Sequence, residues 1–481
     1  MKPRKLRVAL ALGATAGAVA LSAPAAAASP ARIVWEDSCT AGYDCGHLDV
    51  PLSYQDPSAG TVRIAVSRLP ATDQAHKLGT IFFNPGGPGS SGRFAPALTP
   101  ALHARFDIVG FDPRGVSASA KIHCFTDPSQ LEVLQRALGT FPLTRAAEQQ
   151  QIADTRTVTD LCEQNAGPLA GHLSTGTIAR DLDRLRAAFG EPKLRYYGKS
   201  YGTYLGETYA NLFPGRVGTL ALDAVDDPVR WSTGPGPMSY RLEGFSDAPR
   251  ALQSFLDACG SRCPFGYNTI LDRLETGPIT VTDTSGRPTV VTYQSAIARI
   301  HDYLTDAGSA PRLTAFLQAL ADPALPAPAT TGGPPDVDSL LGGGATLCTD
   351  AANPRDPAVW WDYAERADGI ARGFGRYDVY KTLPCATWEL TDPGRYAGPW
   401  NRPTAPILLL ANRQGDLETP YAGAVRTEHL LANARLLTLD TYGHGSRGKS
   451  ACIDGWLNRY FGTGVVPAPG TVCAPDRGPF G

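Results

Sequence analysis

The sequence lacks several features that would place it in other classes of protein. It contains no Cys-x-x-Cys pair and no cluster of cysteine and histidine at zinc-site spacing, so we expect no metal. Its formal net charge of -2 gives no electrostatic reason to expect a nucleic-acid partner. It has no internal repeat, and beyond the N-terminus it has no long apolar run. Nothing in it calls for a cofactor.

The N-terminus carries the one long apolar run. Positive residues open the chain, and an apolar stretch of ~14 residues follows, shorter than the roughly 20 of a transmembrane helix. Small residues then lead to Ala28. We interpret residues 1–28 as a signal peptide, so we expect a secreted protein with no membrane contact after cleavage.

The cysteines fit an exported protein. All ten lie beyond the predicted signal peptide, and the number is even. Exported proteins can keep disulfides, so we expect five and no free thiol. The sequence leaves the connectivity open, but proximity along the chain suggests three local pairs: Cys39 with Cys45, Cys259 with Cys263, and Cys452 with Cys473. Two further pairs would complete the set: Cys124 with Cys162, and Cys348 with Cys385.

Strand and helix patterns alternate through the first half of the chain, which is typical of a mostly parallel sheet in an α/β fold. Strand patterns occupy residues 47–52, 61–69, 80–83, 106–111, 194–197, 217–223, 407–411 and 435–439. Helix patterns occupy residues 177–189, 201–212 and 449–461.

The alternation stops between residues 228 and 400, where the pattern is mainly helical. We predict a core formed by residues 29–227 and 401–481, with 228–400 as a helical cap over the edge where such sheets bind ligands. Residues 323–344 are rich in proline and glycine, and we expect a loop there.

The sequence Gly198-Lys199-Ser200-Tyr201-Gly202 fits the G-x-S-x-G motif. It follows a predicted strand and opens a predicted helix, as a nucleophile elbow does. The flanking glycines are expected because this turn crowds the neighbouring backbone. We predict that Ser200 is the nucleophile; an ordinary Gly-Ser turn is the alternative.

A serine nucleophile needs a base, and the fold's order is serine, acid, histidine. Three histidines follow Ser200. His301 and His429 fall in predicted helices, whereas His444 follows the last predicted strand. We therefore predict His444 as the base.

The acid is expected in the loop after the predicted strand 407–411, which precedes the last predicted strand. In that loop Asp416 is our first choice and Glu418 our second. Asp440 is a further rival, but it lies only four residues before His444 on the same loop. We also expect Thr419 to be the N-cap of the next helix and Pro420 its first residue.

Two backbone N–H groups complete the predicted chemistry. The glycine-rich loop from Asn84 to Gly89 follows an early strand, and we choose Gly87 as one donor to a developing oxyanion. Tyr201, the residue after the nucleophile, supplies the other. A tight turn that serves packing alone is the alternative for Gly87.

These motifs resemble those of the secreted tripeptidyl aminopeptidases of actinomycetes, relatives of the prolyl aminopeptidases within the α/β-hydrolases. The matching stretches are 84–92, 111–115, 198–202 and the C-terminal region from about 376 to 473. One departure is visible, because Leu417 replaces the proline that often follows the family's acid. The resemblance implies an α/β-hydrolase fold.

The resemblance also implies an exopeptidase that releases short N-terminal fragments, such as tripeptides, from peptides with a free amino terminus. A secreted esterase or amidase on the same scaffold is the alternative, and a non-catalytic binding protein is a weaker one. An aminopeptidase needs carboxylates for the α-ammonium group. Asp226, Asp227 and Glu243 are available, but the sequence does not choose among them.

Overall fold

The fold is described from a computed structural model covering residues 32–138, 141–329, 336–402 and 404–481. The predicted signal peptide, residues 1–28, lies outside the described residues, as does part of the predicted loop 323–344.

Ten strands of the described chain form one sheet, and two more form a separate hairpin. The strands are β1 (Val34–Trp35), β2 (Asp44–Pro51), β3 (Thr61–Leu69), β4 (Gly79–Asn84), β5 (Phe106–Phe111), β6 (Leu194–Lys199), β7 (Val217–Asp223), β8 (Ile279–Thr282), β9 (Pro288–Val291), β10 (Ile407–Asn412), β11 (Ala434–Leu439) and β12 (Val472–Cys473).

Helices surround and interrupt this sheet. They are α1 (Pro100–Arg105), α2 (Gln130–Leu138), α3 (Arg145–Asn165), α4 (Thr175–Ala188), α5 (Tyr201–Leu212), α6 (Pro228–Ser232), α7 (Met238–Leu242), α8 (Gly244–Cys259), α9 (Tyr267–Thr276), α10 (Tyr293–Leu304), α11 (Ala310–Ala321), α12 (Val337–Asp350), α13 (Val359–Asp368), α14 (Phe374–Tyr380), α15 (Tyr421–Leu430) and α16 (Ala451–Thr463).

The sheet has the order β1-β2-β3-β5-β4-β6-β7-β10-β11-β12. The pairs from β5 through β12 are parallel, and the pairs that join β1, β2, β3 and β5 are antiparallel. Every residue of β5 and of β10 is buried, as expected for central strands covered on both faces. The predicted α/β class is confirmed, and all eight predicted strands are present.

Between β7 and β10 the described chain adds no strand to the large sheet. It supplies helices α6 to α14 and the β8–β9 hairpin, and these elements pack around their own apolar cluster, which includes Phe255, Ile300, Phe316 and Trp360. The boundaries of the cap at residues 228 and 400 remain a prediction.

The expected loop 323–344 was partly wrong, because α12 begins at Val337 and contains the three glycines from Gly342 to Gly344. These glycines allow close approach of two backbones. A Cβ at Gly342 would lie 2.1 Å from the Gly115 carbonyl oxygen, and one at Gly343 would lie 2.2 Å from that of Pro88. A run of glycine that resembles a loop signal therefore serves helix packing.

Helices α2 and α3 were not expected from the sequence. They lie between β5 and β6, and they pack against α12 through an apolar cluster that includes Leu134, Val158, Leu341 and Ala345. The region above the sheet is thus assembled from two separate stretches of chain.

The five expected disulfides are all present with the expected pairing, and the described residues contain no free cysteine. Cys162 lies in α3 and Cys348 lies in α12, so two of the bonds fix helices above the sheet.

Candidate active site

Ser200 lies at the sharp turn between β6 and α5. Its φ of 58° and ψ of -131° are strained for a residue other than glycine, and such strain is found at functional turns. A Cβ at Gly198 would lie 2.3 Å from the Gly202 carbonyl oxygen, and one at Gly202 would lie 2.7 Å from that of Asn84. The flanking glycines therefore provide space that the turn requires, as expected.

His444 and Asp416 are in contact where β11 and β10 end. Nδ1 of His444 lies 3.0 Å from Oδ1 and 3.1 Å from Oδ2 of Asp416. The Asp416 side chain is 1% exposed, and that of His444 is 12% exposed. A carboxylate that accepts the Nδ1 proton holds the tautomer whose Nε2 can act as a base.

The rival acids have other partners. Glu418 Oε1 lies 3.3 Å from Lys381 Nζ and 3.5 Å from His301 Nε2. Asp440 pairs with Arg413 at 2.7 Å on a more exposed surface. Of the three predicted acids, Asp416 is the one in direct contact with His444.

The rival histidines also lie elsewhere. His301 is buried in α10, and its Nε2 faces Glu418. His429 is exposed near the end of α15.

Thr419 is a further member of the acid–histidine pair. Its hydroxyl donates to Asp416 Oδ2 at 2.9 Å, and the N–H groups of Glu418 and Thr419 each donate to Asp416 Oδ1 at 3.0 Å. The expectation that Thr419 caps the next helix was wrong. α15 begins one residue later than expected, with Pro420 in the cap position, and the hydroxyl serves Asp416 instead.

Leu417, which departs from the family pattern, leaves this arrangement intact. Its side chain is 1% exposed and belongs to the apolar cluster above the sheet, together with Phe245 and Tyr442. The bulkier residue therefore anchors the acid loop by packing.

Asn412 holds the backbone on both sides of His444. Its side-chain amide donates to the carbonyl oxygens of Gly443 and Gly445. Its Oδ1 accepts from the Ser446 hydroxyl at 3.1 Å. Because Asn412 ends β10, the histidine loop is tied directly to the sheet.

Asp223 connects the histidine loop to the nucleophile turn. Its carboxylate accepts from the N–H of Ser446 at 2.9 Å and from the N–H of Arg447 at 3.0 Å. Its backbone carbonyl accepts from the Ser200 N–H at 2.9 Å. One buried residue at the end of β7 thus positions both segments.

The glycine-rich loop lies directly against Ser200. A Cβ at Gly86 would lie 2.8 Å from the Ser200 Cβ and 3.3 Å from the Tyr201 nitrogen. The Gly86 N–H donates to Asn84 Oδ1 at 3.0 Å, so it is already engaged within the loop. The Tyr201 N–H is at the start of α5, where helix N–H groups have no partner within the helix. Gly87 lines the cavity next to Ser200.

This cavity, which we call the acidic cavity, has a volume of about 160 Å³. Its charged lining consists of three carboxylates and one amine, with apolar side chains between them. The lining residues are Gly87, Ser200, Asp226, Trp231, Met238, Ser239, Leu242, Gly244, Leu347, Asp378, Lys381, Thr382, Glu418 and Thr419.

The carboxylates of the acidic cavity differ in environment. Burial raises the pKa of Asp226 well above its usual value, and the nearby charges of Asp416 and Glu418 raise it further. Burial also raises the pKa of Asp378. For Glu418, burial acts in the same direction, but the interactions with Lys381, His301 and His444 together outweigh it and lower the pKa to about 2. Lys381 and Glu418 thus form an ion pair.

Asp226 is distinguished from the other two acids that the sequence left open. Asp226 is 4% exposed, and its Oδ2 has no hydrogen-bond partner in the described part of the chain. Asp227 pairs with Arg426 at 2.7 Å, and Glu243 pairs with Arg230. Only Asp226 of the three lines the acidic cavity.

Sequence reasoning missed several of these residues. Asp223 and Asn412 are polar residues at the ends of apolar strands, and that position was a signal for them. Asp378 and Lys381 lie in and next to α14, where no local pattern points to a site.

Among the described residues, no group of three or more metal-ligating side chains is placed to hold an ion. None of the described helices is long and apolar enough to cross a membrane.

Two family models match parts of the chain. A family model described as "alpha/beta hydrolase fold" matches residues 79–259, and one described as "TAP-like protein" matches residues 371–473. The proline iminopeptidase of Mycobacterium smegmatis is a similar solved structure, with a TM-score of 0.39 and 14% identity over 87% of this chain and 93% of that chain. The protein is an α/β-hydrolase.

Proteins that are similar in sequence identify the family within the α/β-hydrolases. A tripeptidyl aminopeptidase of Streptomyces coelicolor is 31% identical, and the match covers 95% of this chain and 88% of the relative. The serine protease Hip1 of Mycobacterium tuberculosis is 30% identical, with 89% and 87% covered. A carboxylesterase B of the same species is 27% identical, with 90% and 86% covered. The chain belongs to the tripeptidyl aminopeptidase family, and it is a serine hydrolase.

Proposed function

We propose that this protein is a secreted serine exopeptidase that releases tripeptides from the free amino terminus of peptides. The observation that carries the proposal is the contact between His444 Nδ1 and Asp416, on loops tied through Asp223 to the Ser200 turn. The names of the relatives supply the fragment length, and the acidic cavity beside Ser200 supports recognition of a cation.

Ser200 Oγ attacks the carbonyl carbon of the scissile peptide bond while His444 Nε2 takes the hydroxyl proton. Asp416 stabilises the imidazolium that forms. The carbonyl oxygen becomes an oxyanion, which the N–H groups of Gly87 and Tyr201 stabilise. His444 then gives its proton to the leaving amine, and the C–N bond breaks. The N-terminal fragment remains as an ester on Ser200.

A water molecule completes the reaction. His444 takes a proton from this water as the hydroxyl oxygen attacks the ester carbonyl carbon. The second tetrahedral intermediate collapses, the Ser200 oxygen takes back the proton, and the fragment leaves as a carboxylic acid. Neither step needs a cofactor.

Recognition of the amino terminus is assigned to Asp226. A carboxylate with an unpaired oxygen in a cavity next to Ser200 suits an ammonium group, because attraction is stronger where water is excluded. Glu418 and Asp378, by contrast, each lie 3.3 Å from Lys381 Nζ. We propose that residues 228–400 form the cap that closes this side of the cavity and limits the enzyme to chain ends.

The test uses mono-, di- and tripeptidyl anilides with free or acetylated amino termini. We expect the free tripeptidyl anilide to be cleaved fastest and its acetylated form to be cleaved poorly. Ser200→Ala should lose activity on the order of a millionfold while remaining folded. Equal rates on free and acetylated substrates would favour an esterase or amidase. A folded Ser200→Ala protein with more than a few per cent of the activity would refute the nucleophile.

A further inference from the structure

A second cavity, which we call the apolar cavity, lies beside the glycine-rich loop, and Gly87 and Pro88 are part of its lining. Its volume is about 220 Å³. Its walls come from α2, α3 and α12 and from the turn near Trp388, and most of the lining side chains are apolar. Representative wall residues are Leu134, Ala137, Val158, Leu341, Ala345 and Trp388.

The apolar cavity adjoins the acidic cavity. Gly87, Leu347 and Lys381 line both. Gly87 is the proposed donor to the oxyanion, so a substrate carbonyl bound there brings its own residue to the boundary between the two cavities. The side chain of that residue is two bonds from the carbonyl carbon and has an apolar space directly beside it.

We infer that the apolar cavity binds the side chain of the substrate residue whose carbonyl carbon Ser200 attacks, called P1, and that the enzyme therefore prefers a large apolar P1 residue. This inference rests on the proposed function, and it adds the substrate class. A cavity of about 150 Å³ lined by apolar side chains holds benzene, so 220 Å³ accommodates a phenylalanine or leucine side chain.

The construction of the walls supports a defined binding site. Cys162 and the Cys348–Cys385 bond lie in the lining, so two disulfides, with sequence separations of 38 and 37 residues, end at this cavity. Gly343 brings α12 so close to Pro88 that a Cβ there would lie 2.2 Å from its carbonyl oxygen. The wall formed by α12 is thereby fixed against the glycine-rich loop.

Gly344 offers a way to reduce the space without disturbing the backbone. It lies in α12 and lines the cavity, and a Cβ built there has no heavy atom within 4 Å. Leucine is a better helix former than glycine, so Gly344→Leu should leave the helix intact. Gly455 is a matched control, because it is an exposed helical glycine in α16 with equally open space.

The experiment measures kcat/KM for free-amine tripeptidyl anilides that differ only at P1, with alanine, leucine or phenylalanine. A second series varies only the residue after the scissile bond, called P1′. We expect wild-type enzyme to prefer phenylalanine or leucine over alanine at P1 by about 10- to 100-fold. Gly344→Leu should reduce this ratio at least tenfold, whereas Gly455→Leu should leave it unchanged.

A variant of opposite effect checks the direction of the change. Val158 is buried in the wall, and Val158→Ala enlarges the cavity. It should shift the preference from leucine toward phenylalanine at P1, by several-fold in the ratio of kcat/KM. Loss of activity without a change in this ratio would count against the inference.

The possible failures are distinguishable. Wild-type enzyme that cleaves free tripeptidyl anilides at equal rates for all three P1 residues overturns the inference and leaves the proposed function standing. So does a preference that appears only in the P1′ series, or a P1 ratio that Gly344→Leu does not change. Wild-type enzyme that cleaves no peptidyl substrate, while it hydrolyses simple esters, overturns the proposed function itself.

Discussion

Asp416 and Asp226 are both buried carboxylates near Ser200, but the regions that hold them differ. Asp416, at the edge of the sheet, accepts hydrogen bonds from two backbone N–H groups, from Thr419 and from His444. Asp226, in the wall of the acidic cavity, has an oxygen with no partner in the described chain. The oxygens of Asp416 thus have hydrogen-bond partners within the protein, whereas Asp226 has an oxygen that is available to a ligand.

The two carboxylates differ in this way because the regions around them are built from different elements. Loops at the edge of the sheet are short and are tied to strand ends by residues such as Asn412 and Asp223. The acidic cavity is instead lined by segments that are distant in sequence, among them the loop after β7, which carries Asp226, and the helices α7, α12 and α14. We therefore expect substitutions at the edge to reduce turnover, and substitutions in the walls to change which substrate binds.

The largest effect is expected for Asp416→Asn. The amide keeps the shape but can favour the wrong imidazole tautomer, a change that costs roughly 10⁴ in turnover in a known triad. We expect kcat to fall by about a thousandfold or more at neutral pH. Glu418→Gln is the control, with an expected loss below about tenfold because Glu418 pairs with Lys381. If Glu418→Gln were the damaging change, the acid would be misassigned by two residues.

A smaller loss of turnover is expected for Asp223→Asn. The carboxylate accepts from the N–H groups of Ser446 and Arg447, and one end of an amide cannot accept. The His444 loop should shift, and kcat should fall by about a hundredfold with little change in KM. Asp440→Asn, which affects a surface pair with Arg413, should change kcat little. If kcat of Asp223→Asn were as little changed as that of Asp440→Asn, anchoring of the loop by Asp223 would not limit turnover.

In the cavity wall, Asp226→Asn should affect binding of the amino terminus. A hydrogen bond to a charged group contributes about 1.5–3 kcal/mol, so kcat/KM for a free tripeptidyl anilide should fall by about tenfold or more. Asp227→Asn is the neighbouring control, because Asp227 pairs with Arg426.

The pH dependence gives a second readout for Asp226. Its pKa is raised, so KM for the free-amine substrate should decrease as rising pH ionises the carboxyl group, until the substrate amine loses its own proton. An effect of Asp226→Asn that is equal on free and acetylated substrates would remove the assignment.

The smallest effect concerns stability in acid. The pKa of Glu418 is lowered from 4.5 to about 2, so its ion pair with Lys381 contributes stability above pH 4.5. That contribution is lost as pH falls from 4.5 toward 2. The Tm of wild-type protein should fall more between pH 6 and pH 3 than the Tm of Glu418→Gln. Parallel curves would show that the pair does not stabilise the fold.

The local sequence was sufficient to locate residues that lie directly beside a recognisable strand or helix pattern. The turn at Ser200 could be predicted because a strand, a glycine-flanked serine and a helix follow one another within a few residues. The approach of His444 to Asp416 could be predicted because each follows an apolar strand, and the carboxyl ends of parallel strands meet at one edge. Proximity along the chain suggested three of the cysteine pairs, and the even number of cysteines implied that the other four also pair.

Other features depended on contacts that no local pattern contains. Thr419 was expected to cap a helix, and the fold instead directs its hydroxyl to Asp416. The glycines of α12 were expected in a loop, yet they lie in a helix because two backbones approach there. In both cases a residue suits more than one local structure, and a distant partner selects between them.

The sequence by itself therefore determined the α/β class, the strands of the core and the sharp turn at Ser200, because these follow from periodicity and short-range turns. Only the tertiary structure decided that Asp226 keeps an oxygen without a hydrogen-bond partner in the described chain, and that an apolar space adjoins the glycine-rich loop. Asp226, Lys381, Val158 and Gly344 come from separate segments, and their neighbours are fixed by the packing of helices above the sheet. Burial and charge at such positions are properties of the assembled walls, which is why the turn at Ser200 could be predicted from the sequence and the two cavities could not.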